Sequence, residues 1–217
     1  MEKSYSKPLV IVTIIMAILV SVLAVALTPQ TKLPTPIAIN ATGQPTMGKA
    51  NAPVHIVAFE DLKCSNCKRF NDTYFQTIKK EYIATGIAKY TMITLAFIPG
   101  SIPAGNAALC LYNQNKNYFF PFVQYVYDRQ PPEEENWATI PTLLKFAKSS
   151  VPKANLTALS NCIFTDTHTQ TLENNLNLAA SIMNPVETPT VYVNGRIVQP
   201  LTMNQIKILV DAAQEGR

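Results

Sequence analysis

Metal-ligating residues are sparse and badly spaced in this sequence. Two histidines and four cysteines are spread over 217 residues, and beyond Cys64 and Cys67 the candidates Cys110, Cys162, His55 and His168 form no second close pair. A structural zinc site takes four ligands, usually as two close pairs or one pair with histidines. Zinc is therefore a poor reading, and the tight Cys–His or Met clusters that copper would want are missing too. Charge is also thin, at 15% Asp, Glu, Lys and Arg, with a net +4 and no basic block. That excludes the clustered basic stripe of a nucleic-acid binder. No internal repeat is apparent.

What is present begins with a long uncharged run. Residues 9–27, "LVIVTIIMAILVSVLAVAL", contain no charge, glycine or proline. As a helix they would extend roughly 28 Å, close to the hydrocarbon thickness of a bilayer. Lys3 and Lys7 precede the run, so residues 1–8 are expected in the cytoplasm and everything after Thr28 outside it. A cleaved signal peptide, with "AVA" at 24–26 as its cleavage signal, is the rival reading, but such apolar regions usually span about 7–15 residues. Both readings send the bulk of the chain out of the cytoplasm, where an even set of cysteines can pair. Residues 28–48, with Pro29, Pro34, Pro36 and Pro45 and no apolar period, read as an extended tether.

The rest alternates strand and helix signals. "VHIVAFE" (54–60) is the continuous apolar run of a strand buried on both faces. Cys67, Phe70, Tyr74 and Ile78 recur at three- and four-residue steps, which predicts a helix from about 64 to Thr85, with Gly86 as its stop. "IAKYTMITLAFI" (87–98) is rich in β-branched and aromatic residues and reads as a second strand. Helical patterns follow at 104–115, 118–129, 140–149, 156–163 and 166–183, with "PPEEEN" (131–136) as a surface connection. "TVYV", Asn194-Gly195 and "RIV" form a hairpin signature, and Thr202 with Gln205 opens a final helix as a capping box. The order is βαβ, a block of helices, then ββα.

Cys64 and Cys67 stand at the start of the first of these helices, just after a buried strand. Unsatisfied N–H groups and the positive end of the helix dipole favour a thiolate there. Lys63, Lys68 and Arg69 add positive charge, offset by Glu60 and Asp61. Such placements lower a thiol from near 8.5 by one to several units. Cys64 is thus expected to form the mixed disulfide with a substrate and the inward-facing Cys67 to resolve it. A polypeptide-binding module that uses the pair only as a staple is the rival from another class. Cys110 and Cys162, 52 residues apart on two predicted helices, are read as a structural disulfide, with a second redox centre or two buried free thiols as alternatives.

With "VHIVAFE", "CSNC", the helices after "AFIPG" and "TPTVYVNG" in this order, the chain resembles the thioredoxin-fold superfamily, and within it the DsbA-like, membrane-tethered thiol:disulfide oxidoreductases. The resemblance covers about residues 48–217. It implies an α/β thioredoxin fold split by a helical insertion, with the fold over 49–98 and 185–217 and the insertion over 99–184. It also implies a cis Pro189 lying against the cysteine pair, with Thr188 offering its backbone to an extended substrate. Its activity would be the introduction of disulfides into exported, thiol-bearing polypeptides, with reoxidation by a membrane partner and no cofactor. An isomerase or reductase with the same site is the alternative. Two departures stand out. The acid such proteins commonly bury six residues before the first cysteine is Ala58 here, so Glu60 is the substitute at hand. Ser65-Asn66 between the cysteines is unlike the pair of strongly oxidising members, and that dipeptide tunes thiolate stability.

Overall fold

The computed structural model describes residues 6–27 and 33–217. The expected cytoplasmic tail falls largely on residues 1–5 and the start of the tether on 28–32, both outside the described residues. Two units separate, residues 1–33 and 34–217. The first holds helix α1, Ser6–Leu27, with side chains described at 10–20. Among the described residues no helix is long and apolar enough to cross a membrane. Of the expected span over 9–27, the whole lies in α1 and the side chains are described at 10–20.

The second unit is built on a five-stranded sheet of order β1-β3-β2-β4-β5. β2 (Val54–Asp61) and β3 (Ala88–Leu95) lie parallel at its centre, in a register that sets Ile56 beside Tyr90 and Glu60 beside Thr94. β4 (Thr190–Val193) runs antiparallel to β2, and β5 (Arg196–Ile197) antiparallel to β4. Both central strands are buried on both faces apart from their second residues, which is why β2 reads as a continuous apolar run and β3 as a stretch rich in β-branched and aromatic residues rather than as alternating patterns. The hairpin turns at Asn194 and Gly195, both at positive φ (44° and 77°). A Cβ on Gly195 would stand 2.1 Å from the Ile37 carbonyl oxygen, so only glycine fits.

That contact corrects the tether. From Pro34 onward the proline-rich segment is stitched to the sheet. Ile37 N donates to Gly195 O (2.9 Å), Arg196 Nη1 to Pro34 O, and Met92 N to Pro45 O (3.0 Å). Thr46–Met47 form edge strand β1, antiparallel to β3. The prolines suit an edge, where missing N–H groups cost nothing.

The helix after β2 also differs from its expected form. Its first turns, α2 (Ser65–Phe70), pass through a π stretch (Asn71–Phe75), α3 (Gln76–Ile78) and a second π stretch (Lys79–Ile83). Each wider turn lets residues five apart share the buried face. Phe70 with Phe75 and Ile78 with Ile83 do so, while the expected Tyr74 is only half-buried.

Five helices connect β3 to β4. They are α4 (Ile102–Gln114), α5 (Phe119–Arg129), α6 (Ile140–Ser150), α7 (Leu156–Phe164) and α8 (Thr169–Ile182). Asn155 caps α7 by accepting from Ala158 N at 3.0 Å. α8 packs its Ala179 face on Val57, Phe59, Ile93, Leu95 and Tyr192. α9 (Met203–Gln214) starts at Thr202, whose hydroxyl accepts from Gln205 N at 3.2 Å. Cys110 and Cys162 join α4 to α7 through a disulfide with sulfurs 2.03 Å apart, and His168 lies beside it. Closing a loop of 52 residues stabilises by about 4 kcal/mol in the chain-entropy treatment, and measured values are often smaller. Replacing both cysteines by alanine should therefore cost about 2–4 kcal/mol in urea unfolding. The titration of Cys64 should not change, because the bridge ties helices together and touches neither free thiol.

Candidate active site

The site grows from the end of β2. Asp61 is fully buried, and its carboxylate accepts N–H groups from Lys63 (2.9 Å), Phe97 and Ile98 (both 3.1 Å). Burial raises its pKa, against those hydrogen bonds. One side chain thus fastens the turn into the helix to the loop after β3. Cys64 N closes the turn on Asp61 O at 3.0 Å, and Cys64 becomes the N-cap residue of α2 with an extended backbone (φ −64°, ψ 118°).

Cys64 and Cys67 are free thiols, 5% and 0% exposed. Their surroundings push them apart. Cys64 is held down at about 6, above all by a hydrogen bond from the Cys67 thiol and also by the N–H groups of Cys67 and Asn66, against the opposing effect of burial. Cys67 is pushed well above its usual range by burial and by the charges of Cys64 and Glu60. Lys63 and Lys68 turn their ammonium groups to partners other than the sulfur. Lys63 Nζ donates to Pro99 O (2.9 Å) and Glu135 O (3.0 Å), and Lys68 pairs with exposed Asp72 (2.9 Å). Hydrogen bonds, rather than neighbouring cations, favour the thiolate.

Glu60 lies beneath the pair, 2% exposed. Tyr90 Oη donates to it at 2.5 Å and Tyr127 Oη at 2.9 Å. Burial nevertheless raises it to about 7, with a further push from the charge of Cys64. Ala58, the usual acid position by resemblance, faces the same side of β2 two residues earlier.

On the other side of the pair, the Cys64 thiol donates to the Thr188 carbonyl at 3.4 Å, and Thr188-Pro189 is a cis bond. Ser65 and Asn66 are exposed between the sulfurs. The structure thus gathers Cys64, Cys67, Ser65, Asn66, Glu60, Thr188 and Pro189 at one place. Cys110 and Cys162 belong to the helices instead.

Several neighbours were not legible beforehand. Gln130 Nε2 donates to Leu62 O (2.8 Å) and Cys64 O (3.3 Å), and Glu133 Oε2 accepts from Ser65 N (2.7 Å). Both come from the connection between α5 and α6, which reads as plain surface. Tyr127 sits near the end of α5, inside the helical pattern at 118–129, and is fully buried. Nothing in their local sequence signals a contact 66–68 residues away.

The family described as Thioredoxin matches residues 40–212. Disulfide bond formation protein D of Bacillus subtilis is 31% identical over 177 residues, covering 81% of this chain and 79% of its own length. The chain belongs to the DsbA-like thiol:disulfide oxidoreductases of the thioredoxin family. The crystal structure of oxidised BdbD from Bacillus subtilis superposes with a TM-score of 0.78 at 29% identity, over 85% of this chain and all of that one. Chlamydia trachomatis DsbA follows at 0.75 and 28%, over 87% of this chain and 98% of its own. This DsbA-like enzyme exchanges thiols and disulfides with thiol-bearing substrates and a redox partner, and the reading as a non-catalytic binding module is set aside.

Proposed function

We propose that Cys64 and Cys67 are the redox pair of this oxidoreductase, and that it introduces disulfides into exported proteins. One observation carries the reading: two thiols three positions apart have environments that drive one towards thiolate and the other towards thiol. In the oxidised pair, a substrate thiolate attacks the Cys64 sulfur. The Cys64–Cys67 bond breaks, and its electron pair leaves on Cys67, which takes a proton. Glu60, near half-protonated at pH 7, supports the role of donor. A second substrate thiolate then attacks the substrate sulfur of the mixed disulfide, and the electron pair leaves on Cys64. A sulfur stable as thiolate is the better leaving group. The substrate gains a disulfide, and the pair gains two electrons and, on Cys67, the proton.

Reoxidation runs the steps backwards on a disulfide presented by a membrane partner. Thr188 and Pro189, next to the Cys64 sulfur, are proposed to receive an extended substrate segment by backbone pairing. Ser65 and Asn66 would tune the couple, Asn66 through its N–H to the sulfur and Ser65 from the position beside it.

Equilibration with glutathione mixtures tests the direction. A potential near about −120 mV, as in DsbA, supports an oxidase, and one near about −270 mV, as in thioredoxin, would make the enzyme a reductase or isomerase. Residues 9–27 are proposed as a retained anchor, supported by their uncharged composition and by Lys3 and Lys7 on the expected cytoplasmic side. The full chain should stay with membranes through an alkaline carbonate wash. External protease should digest the domain in spheroplasts. Release into the soluble fraction would instead favour a cleaved signal.

A further inference from the structure

Three successive N–H groups open the active helix, and two anionic groups divide them. Asn66 and Cys67 offer theirs to the Cys64 sulfur. The Ser65 N–H goes to Glu133 Oε2 at 2.7 Å. Glu133 is half-buried and belongs to the helical insertion, 68 residues further along the chain. Its loop is held in place independently: Gln130 binds the carbonyls of Leu62 and Cys64, and Lys63 Nζ binds the Glu135 carbonyl. Glu133 and Glu134 line a cavity of about 240 Å³ with Lys63, Ile98 and Pro99. The Lys63 ammonium is drawn towards Pro99 O and Glu135 O, and no ion pair between it and Glu133 occurs among the described residues.

We infer that Glu133 is a positioning residue that restrains the oxidising power of the pair by engaging the Ser65 N–H and placing a negative charge beside the nascent Cys64 thiolate. A carboxylate on the N–H next to the thiolate is a like charge, and like charges disfavour each other's ionisation. A less favoured thiolate means a less favoured reduced form, hence a weaker oxidant. The charged and titratable groups around Cys64 are Cys67 on its own helix, Glu60 and Asp61 at the end of β2, and Glu133 and Lys63 on the loop side. Thr188 faces the sulfur with a carbonyl. The inference rests on Cys64 being the nucleophile and extends that reading to the insertion.

Glu133→Gln keeps an oxygen for the Ser65 N–H and removes only the charge. Thiolate absorbance of the reduced domain against pH should then show the Cys64 midpoint about half a unit lower, with a smaller difference in high salt. The equilibrium with glutathione should move about threefold towards the reduced protein, or about 14 mV. Glu133→Ala, which also frees the N–H, should move both at least as far. A purely structural Glu133 predicts a lower unfolding midpoint for Glu133→Ala and titration curves that superimpose for both variants. That result overturns the inference while leaving the nucleophile in place. A wild-type Cys64 titrating near 8.5 would overturn the nucleophile assignment, and this inference with it.

Discussion

Cys64→Ser should abolish disulfide transfer to a reduced, unfolded protein, slowing it about 10³-fold or more, since the one other free thiol among the described residues, Cys67, is wholly buried. Cys67→Ser should fail differently. It can still capture a substrate but cannot resolve it, so mixed disulfides should accumulate and be visible on non-reducing gels. The asymmetry follows from burial and hydrogen bonding. A thiol with a pKa of about 6 is roughly nine-tenths ionised at pH 7, whereas an unperturbed thiol near 8.5 is only a few per cent ionised. Cys67, fully buried and pushed upward, is not available for the first attack. The Cys67 thiol is also the foremost cause of the low Cys64 value. Cys67→Ala should therefore raise the alkylation midpoint of Cys64 by about one unit, while the serine hydroxyl restores part of the effect. Traps that form on Cys67 in a Cys64→Ser background would reverse the assignment.

Glu60→Gln should slow the step that protonates or deprotonates Cys67 about 10²-fold, the usual scale for a positioned acid–base group, and erase the inflection near pH 7. Its signature in stability is separable by sign. Glu60 has a folded pKa raised from 4.5 to about 7. Its contribution is fully present below 4.5 and lost as pH rises through 7, by about 3 kcal/mol. Cys64 has a folded pKa depressed from 9.0 to about 6. Its contribution is present above 9 and lost as pH falls through 6. In the oxidised protein Cys64 no longer titrates, so of these two contributions only the Glu60 loss remains, on a background from Asp61 and the histidines that both proteins share. Urea unfolding of the oxidised form should thus show wild type weakening between pH 4.5 and 8, and Glu60→Gln escaping that decline. The amide oxygen can still accept from both tyrosines. Parallel declines in the two proteins would mean that Glu60 is not the group that titrates.

How much of this was legible in the sequence follows from distance along the chain. The continuous apolar run at 54–60, the β-branched and aromatic stretch at 87–98, Asn194-Gly195 and the Thr202 cap are local signals, and the structure has the corresponding elements. The spacing of Cys64 and Cys67 places both on one helix start by the same logic. The π stretches were not legible, because Tyr74 and Phe75 are equally good candidates for a buried face until the turn width is known. The docking of the tether from Pro34 onward is hidden in the sequence, because proline suppresses a strand's own signal while still permitting an edge. The partners of Glu60 and Ser65 N come from residues 67 and 68 positions away. Only the three-dimensional return of the insertion brings them close.

That return bears on attempts to move the chemistry elsewhere. Tyr127 touches the buried acid, Gln130 grips the backbone of the first cysteine, and Glu133 occupies the neighbouring amide. A chimaera that grafts residues 59–75 into a minimal, uninterrupted scaffold would carry the sulfurs and leave behind the groups that set their balance. Among relatives, differences in the excursion between the third and fourth strands would then modulate electron affinity as surely as changes in the dipeptide between the cysteines.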